Sequence, residues 1–449
     1  MQKIGKPKNH GSNPLKSKSI TNKSSSATKP HEKSIFRLLG PGLITGASDD
    51  DPSGIATYSQ AGAQFGFATL WTMVFAYPLM SAIQLICGLV GRVTGRGIAG
   101  NMRLHFPAWL SFVCIGAMVV ANIVNVGADI AAVAAAARLV VGGPHLLYAV
   151  LFAVGSLLLQ VFLPYTKYVK ILKWLTLALF AYVATVFVIK VPWGEAVKHT
   201  LIPSISLNAP FFMLLAAIFG TTISPYLFFW QSSQEAEEIK VVKDDKALIR
   251  APEQAPAQVR RIEWDTYIGM AFSNIVAYFI ILTTAATLHS KGQTDIQSAS
   301  QAAEALRPIA SKFAFLLFSL GIIGTGLLAL PVLAGSAAYA VGEAFKWRTG
   351  LEAKPYRARK FYGILTAVML AGLGLNFVPI DPIKALVWAA VINGIVAPPI
   401  MVVLMLMANK PEVMKEFVIS KHLKWMGWLA TAVMLVVALA AIAGLFFSA

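Results

Sequence analysis

The sequence predicts an all-α polytopic membrane protein with eleven transmembrane helices, the first and sixth of them broken. Three observations predict it. The 449 residues are 57% hydrophobic and only 13% charged, about half the charge of a soluble domain. Apolar runs long enough to cross a bilayer recur along the whole chain. Two of these runs, five spans apart, read as interrupted near mid-membrane, at Pro52 and at Pro225. Continuous runs, rather than alternating ten-residue segments, argue against a transmembrane β-barrel.

Residues 1–37 form a Lys/Ser/Asn-rich tail without apolar periodicity, expected to be disordered and cytoplasmic. The transporter domain is expected over 38–449. Its candidate spans are Pro41–Ala63, Leu70–Val90, Ala108–Ala137, Leu146–Leu163, Ile171–Val191, Pro210–Trp230, Tyr267–Leu288, Phe313–Ala344, Tyr362–Val378, Ile383–Met407 and Trp425–Phe447. They divide into a first repeat over 38–192, a second over 209–408, and helix 11 over 424–448. Five spans is an odd number, so the second repeat is inverted relative to the first. The first apolar run starts too late for a cleavable signal and lacks a small-residue cleavage site. The segment Gln231–Asp265 is mixed in charge and then proline-bearing, and reads as a solvated helix plus linker.

The placement of charge gives the orientation. With the N-terminus inside, the tail, the five loops on its side and the adjoining end of the fifth span (Lys173) hold 31 of the 38 Lys and Arg residues, as the positive-inside rule requires. This expects a multi-pass protein of the cell (inner) membrane, its N-terminus cytoplasmic and its C-terminus on the opposite side. The net charge of +17 is then a topology signal and a contact with the lipid bilayer, not a sign of nucleic acid. Cys87 and Cys114 both lie in apolar runs, which excludes a disulfide framework. The seven histidines fall in the tail or near span ends, with no HExxH motif and no His or Cys cluster. No serine has a base beside it within a span. The chain therefore reads as a non-enzyme without a cofactor, and a monomer is expected.

Acids at bilayer depth cost several kcal/mol in principle and mark functional sites. They reduce to Asp49, Asp50 and Asp51 in "LITGASDDDPSG" and Asp129 in "NIVNVGADIAAV". Asp51 before Pro-Ser-Gly could simply cap a restarted helix. A restart at mid-membrane nevertheless frees backbone groups that need partners or water, and secondary transporters bind ions at such breaks. Asp51 is thus read as an ion ligand and Asp129 as part of an ion or proton pathway. Asp49 and Asp50 are placed along an access route or at a cavity mouth. The second break, "FGTTISPYLFFWQ", has Pro225 five residues after Gly220, much as Pro52 follows Gly46. The matched pair places a site between the breaks. Gly46, Ala47 and Gly220 would allow close packing or hinge movement.

These residues carry a resemblance. "GPGLITGASDDDPSGIATYSQAGAQFGFATLW" resembles the first-helix signature of the Nramp divalent-metal transporters. "GRVTGRGIA" and "GTTISPY" are similar to later motifs of that family, and the similarity spans nearly all eleven runs in order. The resemblance implies a LeuT-type fold and import of Mn²⁺, Fe²⁺ and related ions, commonly with protons. On it, Asp51 matches the metal-binding aspartate and Pro52 the motif proline. Ser53 replaces a glycine, and Gly54 stands where the family has a metal-binding asparagine. Thr221 matches a residue offering a backbone carbonyl, and Ser224 replaces a metal-contacting methionine. Pro225 is kept, Tyr226 replaces a histidine, and Gln231 falls where a second histidine often lies. Asp129 matches the proton-path aspartate, with Ala132 in the place of its glutamate. Asn393 lies near the place of a glutamine ligand.

The departures have physical content. A thioether favours transition metals, so Ser224 leaves an all-oxygen site suited to harder ions. Gly54 removes a ligand and is expected to open volume. Mg²⁺ keeps several of its waters, and a roomier site with one carboxylate suits it. The pattern is similar to the Nramp-related magnesium transporters. The expected function is import of Mg²⁺, with Mn²⁺ also accepted, by alternating access and with weak or absent proton coupling. The alternatives are a proton-coupled Mn²⁺/Fe²⁺ importer, a LeuT-type carrier of a small organic solute, and a membrane enzyme or receptor.

Overall fold

A computed structural model describes residues 45–46, 48–163, 177–242, 244–378 and 381–447. The basic tail over 1–37, Ala47, and the start of the fifth candidate span lie outside the described residues. Those described form no strand. After helical residues at 45–46 and 48–49 come α1 (Pro52–Phe65), α2 (Trp71–Thr94), α3 (Ile98–His105), α4 (Ala108–Val141), α5 (His145–Phe162), α6 (Phe180–Val186) and α7 (Trp193–Leu201). The second half holds α8 (Ala209–Thr222), α9 (Pro225–Val241), α10 (Ala255–Thr287), α11 (Ala314–Ala344), α12 (Arg359–Leu375), α13 (Pro382–Ala408) and α14 (Lys421–Phe447).

Among the described residues, eight stretches are long and apolar enough to cross a membrane, with α8 and α9 counted together. The other three candidate spans fall short for separate reasons. The first is cut by its break, the fifth is described only through α6 and the turn before it, and α12 has 17 residues.

Both breaks come where the sequence places them. Asp51 takes an extended backbone (φ −67°, ψ 170°), and Pro52 opens α1 at a position where its missing N–H costs nothing. In the sixth span α8 ends at Thr222, and Ile223 and Ser224 leave helical geometry before Pro225 opens α9.

α1 packs on α8, α10 and α13, while α4 packs on α11, α12 and α13. Two of the contacts need glycine. A methyl on Gly46 would overlap the Gly269 backbone of α10, and one on Gly220 would overlap the Ala390 carbonyl and Gly394 of α13. The helices around the breaks therefore touch backbone to backbone.

The segment Gln231–Asp265 corrects the expectation of a solvated helix plus linker. α9 runs on without interruption to Val241, and α10 begins at Ala255. Most side chains from Gln231 to Glu237 are buried, because the extension docks on four neighbouring elements. Glu235 accepts a hydrogen bond from Arg261 at 2.5 Å, and Glu238 pairs with the same guanidinium at 3.0 Å. Arg92 of α2, fully buried, pairs with Asp245 at 2.7 Å and faces Glu238 at 3.8 Å. Glu237 accepts from the Tyr339 hydroxyl and from the Leu351 and Glu352 N–H groups. Ser233 donates to Glu343 at 2.8 Å, and Glu343 also accepts from Gly100 N–H. These contacts tie α2, α3, α9, α10 and α11 together at one end of the molecule.

At the other end the connection after α10 is pinned to α1. Gln60 accepts from Ile296 N–H at 2.9 Å and donates to the Thr294 carbonyl, while His289 Nδ1 lies 2.8 Å from the Ala63 carbonyl.

Candidate metal site between the two helix breaks

Asp51 has a double role that neither reading of the sequence alone captured. Its Oδ1 accepts from Gly54 N–H at 2.7 Å, a true helix cap. Its Oδ2 is held by two donors from other helices. Asn125 of α4 donates from 3.2 Å, and the Tyr226 hydroxyl, one residue past the α9 proline, donates from 3.3 Å. The same hydroxyl lies 3.3 Å from the Ser48 carbonyl. Asp51 is thereby fixed where α1, α4 and α9 converge, at the positive end of the α1 dipole.

Asp49, Asp50, Asp51 and Asp129 are each at most 1% exposed. Among the described residues, none of them forms an ion pair. Asp49 and Asp50 therefore line no solvated mouth, which corrects that expectation. Both reach the Ser273 hydroxyl of α10, at 2.6 and 3.1 Å. One hydroxyl carries one proton and can satisfy only one carboxylate at a time. Asp129 sits one turn along α4 from Asn125, within electrostatic reach of Asp51 and on the side of the Ser53 backbone amide. Neither of its carboxylate oxygens has a hydrogen-bond partner.

The second break meets this group through the Tyr226 hydroxyl and, at Gly54, the Thr221 hydroxyl. The Ser224 hydroxyl donates back to the Gly220 and Thr221 carbonyls, at 2.6 and 2.8 Å. It closes the end of α8 and does not cap α9. Its single proton leaves one of those carbonyls a full acceptor, so the end of α8 still offers an oxygen to a cation. The expected ligand Thr221 also presents its hydroxyl to Gly54. A β-carbon on Gly54 would lie 3.1 Å from Thr221 Oγ1, 3.2 Å from the Asp49 carbonyl and 3.3 Å from the Tyr58 ring. The expectation that Gly54 opens volume is thus corrected: the space is taken by these three groups.

The remaining expected residues divide. Asn393 is buried on α13 beside Gly394, with neither side-chain amide atom hydrogen-bonded; Gly394 meets Ala216 and Gly220 of α8. Gln231 stands apart, donating to Thr266 at 2.9 Å and lying against Gly88 of α2. Ala132 is buried.

Asn125 and Ser273 are the residues the sequence reading missed. For Asn125 a signal existed, because Asn122, Asn125 and Asp129 form a polar stripe at helical spacing on an otherwise apolar α4. Asn122 uses it to bind α11, donating to the Leu333 carbonyl and Ser336 hydroxyl. Ser273 had none, since one serine in an apolar helix is unremarkable.

Among the described residues no three His, Cys, Asp or Glu side chains form a ready metal cage. The groups that touch Asp51 are N–H and O–H donors, and the second break adds carbonyl and hydroxyl oxygen. The arrangement suits an oxygen-loving cation held by one carboxylate and neutral dipoles, with further acids close by. The cavities of about 870 and 300 Å³ beside α4 and α13 contain none of the four acids in their walls. The acids are sealed from both.

The architecture has solved counterparts. A crystal structure of the Eremococcus coleocola manganese transporter, bound to an aromatic bis-isothiourea compound, superposes with a TM-score of 0.72 at 19% identity, covering 95% of this chain and 92% of that one. The H236A mutant of the same transporter gives 0.70 at 20% identity, with the same coverage. Mhp1, a nucleobase-cation-symport-1 family transporter in a closed conformation, gives 0.58 at 16% identity, covering 91% and 90%. These likenesses show the LeuT-type fold. Residues 42–444 also match the family described as natural resistance-associated macrophage protein-like, and with nearly the whole membrane domain inside that match, the chain belongs to the Nramp family.

Proposed function

We propose that this protein imports divalent metal cations across the cell membrane by alternating access, with Mg²⁺ as a substrate and Mn²⁺ also accepted. One observation carries the reading: four buried carboxylates stand at or beside a pair of helix breaks without a cationic side chain among the described residues. Buried acids need compensating charge, and here the cargo supplies it. Asp51 binds the ion, and a carbonyl of Gly220 or Thr221 completes part of its shell. The solved manganese transporter of the same fold supports a divalent cation as cargo.

Preference for a harder ion rests on the donor types. Oxygen replaces sulfur at Ser224, so nothing at the second break discriminates against Mg²⁺. The filled space around Gly54 removes the roomy-site argument. A hydrated ion must be accommodated by movement of α1 against α8, or else shed water. Weak proton coupling follows from Ala132 and Tyr226, which replace two groups able to carry protons. The rival reading, a proton-coupled Mn²⁺/Fe²⁺ importer, draws on Asp129, whose oxygens lack partners.

Flux into liposomes separates the two. The purified protein should load Mg²⁺, Mn²⁺ uptake should be competed by millimolar Mg²⁺, and an internal pH dye should stay constant. Mn²⁺ uptake that ignores Mg²⁺ and acidifies the lumen would establish the rival.

A further inference from the structure

Beside the Arg92 ion-pair network lies a cavity of about 530 Å³ that the transport reading does not use. Its walls come from the α2–α3 turn, the last turns of α9, and the segment that follows α9. Four cations line it: Arg96, Lys240, Lys246 and Arg250. All four are exposed, and among the described residues none has an acidic partner within ion-pair distance. The one acid in the wall, Asp245, is already engaged by the buried Arg92 at 2.7 Å. Glu343 lies within electrostatic reach of Lys240 but forms no ion pair with it, so the wall keeps a net positive charge.

The backbone on both sides is held in place. Thr94 Oγ1 accepts from Arg96 N–H and from Asn101, and Asn101 also donates to the Arg96 and Gly97 carbonyls. Opposite, Gln254 donates to the Asp244 carbonyl and accepts from Lys246 N–H. Like charges fixed around one concavity repel one another unless an anion joins them. Arginine forks and lysine ammonium groups together match the oxygens of a phosphate. The floor is apolar, from Ala236, Ile239 and Ala247, and the volume exceeds that of a single phosphate.

We propose that this cavity binds a phosphate-bearing anion, either a soluble phosphate ester or pyrophosphate, or the headgroup of an anionic phospholipid. An anion there bridges the α2–α3 turn to the connection between α9 and α10. It would add a fastening to the elements that the Arg92 network already joins.

The test uses the full chain and a triple variant, Lys240→Gln, Lys246→Gln and Arg250→Gln, in metal-free and phosphate-free buffer. These side chains are exposed and unpaired, so matched melting temperatures verify that the variant is folded. Titration calorimetry with pyrophosphate in neutral detergent reads the soluble source. Native mass spectrometry of protein taken from phosphatidylglycerol-containing nanodiscs reads the lipid source. Saturable pyrophosphate binding by the parent that weakens more than tenfold in the triple variant supports the soluble ligand. Phosphatidylglycerol retained by the parent and lost by the variant supports the headgroup. Failure of the parent to hold either ligand, or equal binding by parent and variant, overturns the proposal.

Discussion

The acids at the centre of the molecule and those at its Arg92 end are neutralised in different ways. At the end, Glu235, Glu238 and Asp245 surround Arg92 and Arg261, and the protein supplies both signs of charge. At the centre, among the described residues, Asp49, Asp50 and Asp51 meet hydroxyls, an amide and one backbone N–H, and the Asp129 oxygens have no hydrogen-bond partner. Buried charge is tolerated when it is paired. A permanent pair fastens helices together, whereas a pair completed by a passing cation leaves the helices free to part when it departs. The first group is a clasp, and on the proposed function the second is a socket.

The largest effect should come from emptying the socket of its key charge. Asp51→Asn keeps the size of the side chain and an oxygen acceptor for Gly54 N–H, so α1 should still start at Pro52. It removes the charge that faces the convergence of α1, α4 and α9. Mg²⁺ and Mn²⁺ flux in liposomes should fall to that of protein-free vesicles, with an unchanged elution profile and melting temperature. Substantial residual flux would show that the acids at the centre are structural, like those at the end.

The clasp should answer the opposite way, in stability before transport. Arg261→Met leaves Glu235 fully buried without its partner, a change that typically costs about 3–5 kcal/mol. Adding Glu235→Leu removes the orphaned charge and should restore most of the loss, because a well-packed apolar pair can replace a buried ion pair. Thermal unfolding in detergent reads both variants. A single variant as stable as the parent would dissolve the distinction, since the end acids would then need no cation either.

The sequence exposed these two groups unequally. The breaks were legible because Pro52 follows three acids and Pro225 repeats the interruption five spans later; proline alone marks no break, since Pro78, Pro331, Pro398 and Pro399 sit inside continuous helices. Asp51 and Asp129 were legible because an acid at depth is costly enough to be rare. The clasp was not, since Arg92, Glu235 and Arg261 lie where a polar loop was expected. Their burial depends on α9 and α10 continuing beyond the apolar stretch, and hydropathy does not follow a helix past the point where it turns polar. The crowding at Gly54 was likewise hidden. Absence of a side chain suggests space, and only packing shows that Thr221, the Asp49 carbonyl and Tyr58 close it.

Asn125 offers the finest test of the comparison. Its amide lies 3.2 Å from Asp51 Oδ2, and its neighbour on the same stripe, Asn122, bonds to α11 and not to any acid. If the centre is a socket, Asn125 aims the carboxylate at the ion, and its loss should show in substrate affinity. Asn125→Leu keeps the volume and should raise the KM for Mn²⁺ uptake about 10–100-fold, the usual effect of removing a group that orients a metal ligand. The maximal rate should change much less, because Asp51 and the α8 carbonyls remain. Asn122→Leu should instead lower the melting temperature and leave KM near that of the parent, since it breaks a helix-to-helix bond away from Asp51. The two asparagines stand three residues apart on one helix, so a change of opposite character at each would place the boundary between holding the fold and holding the cargo within a single turn of α4.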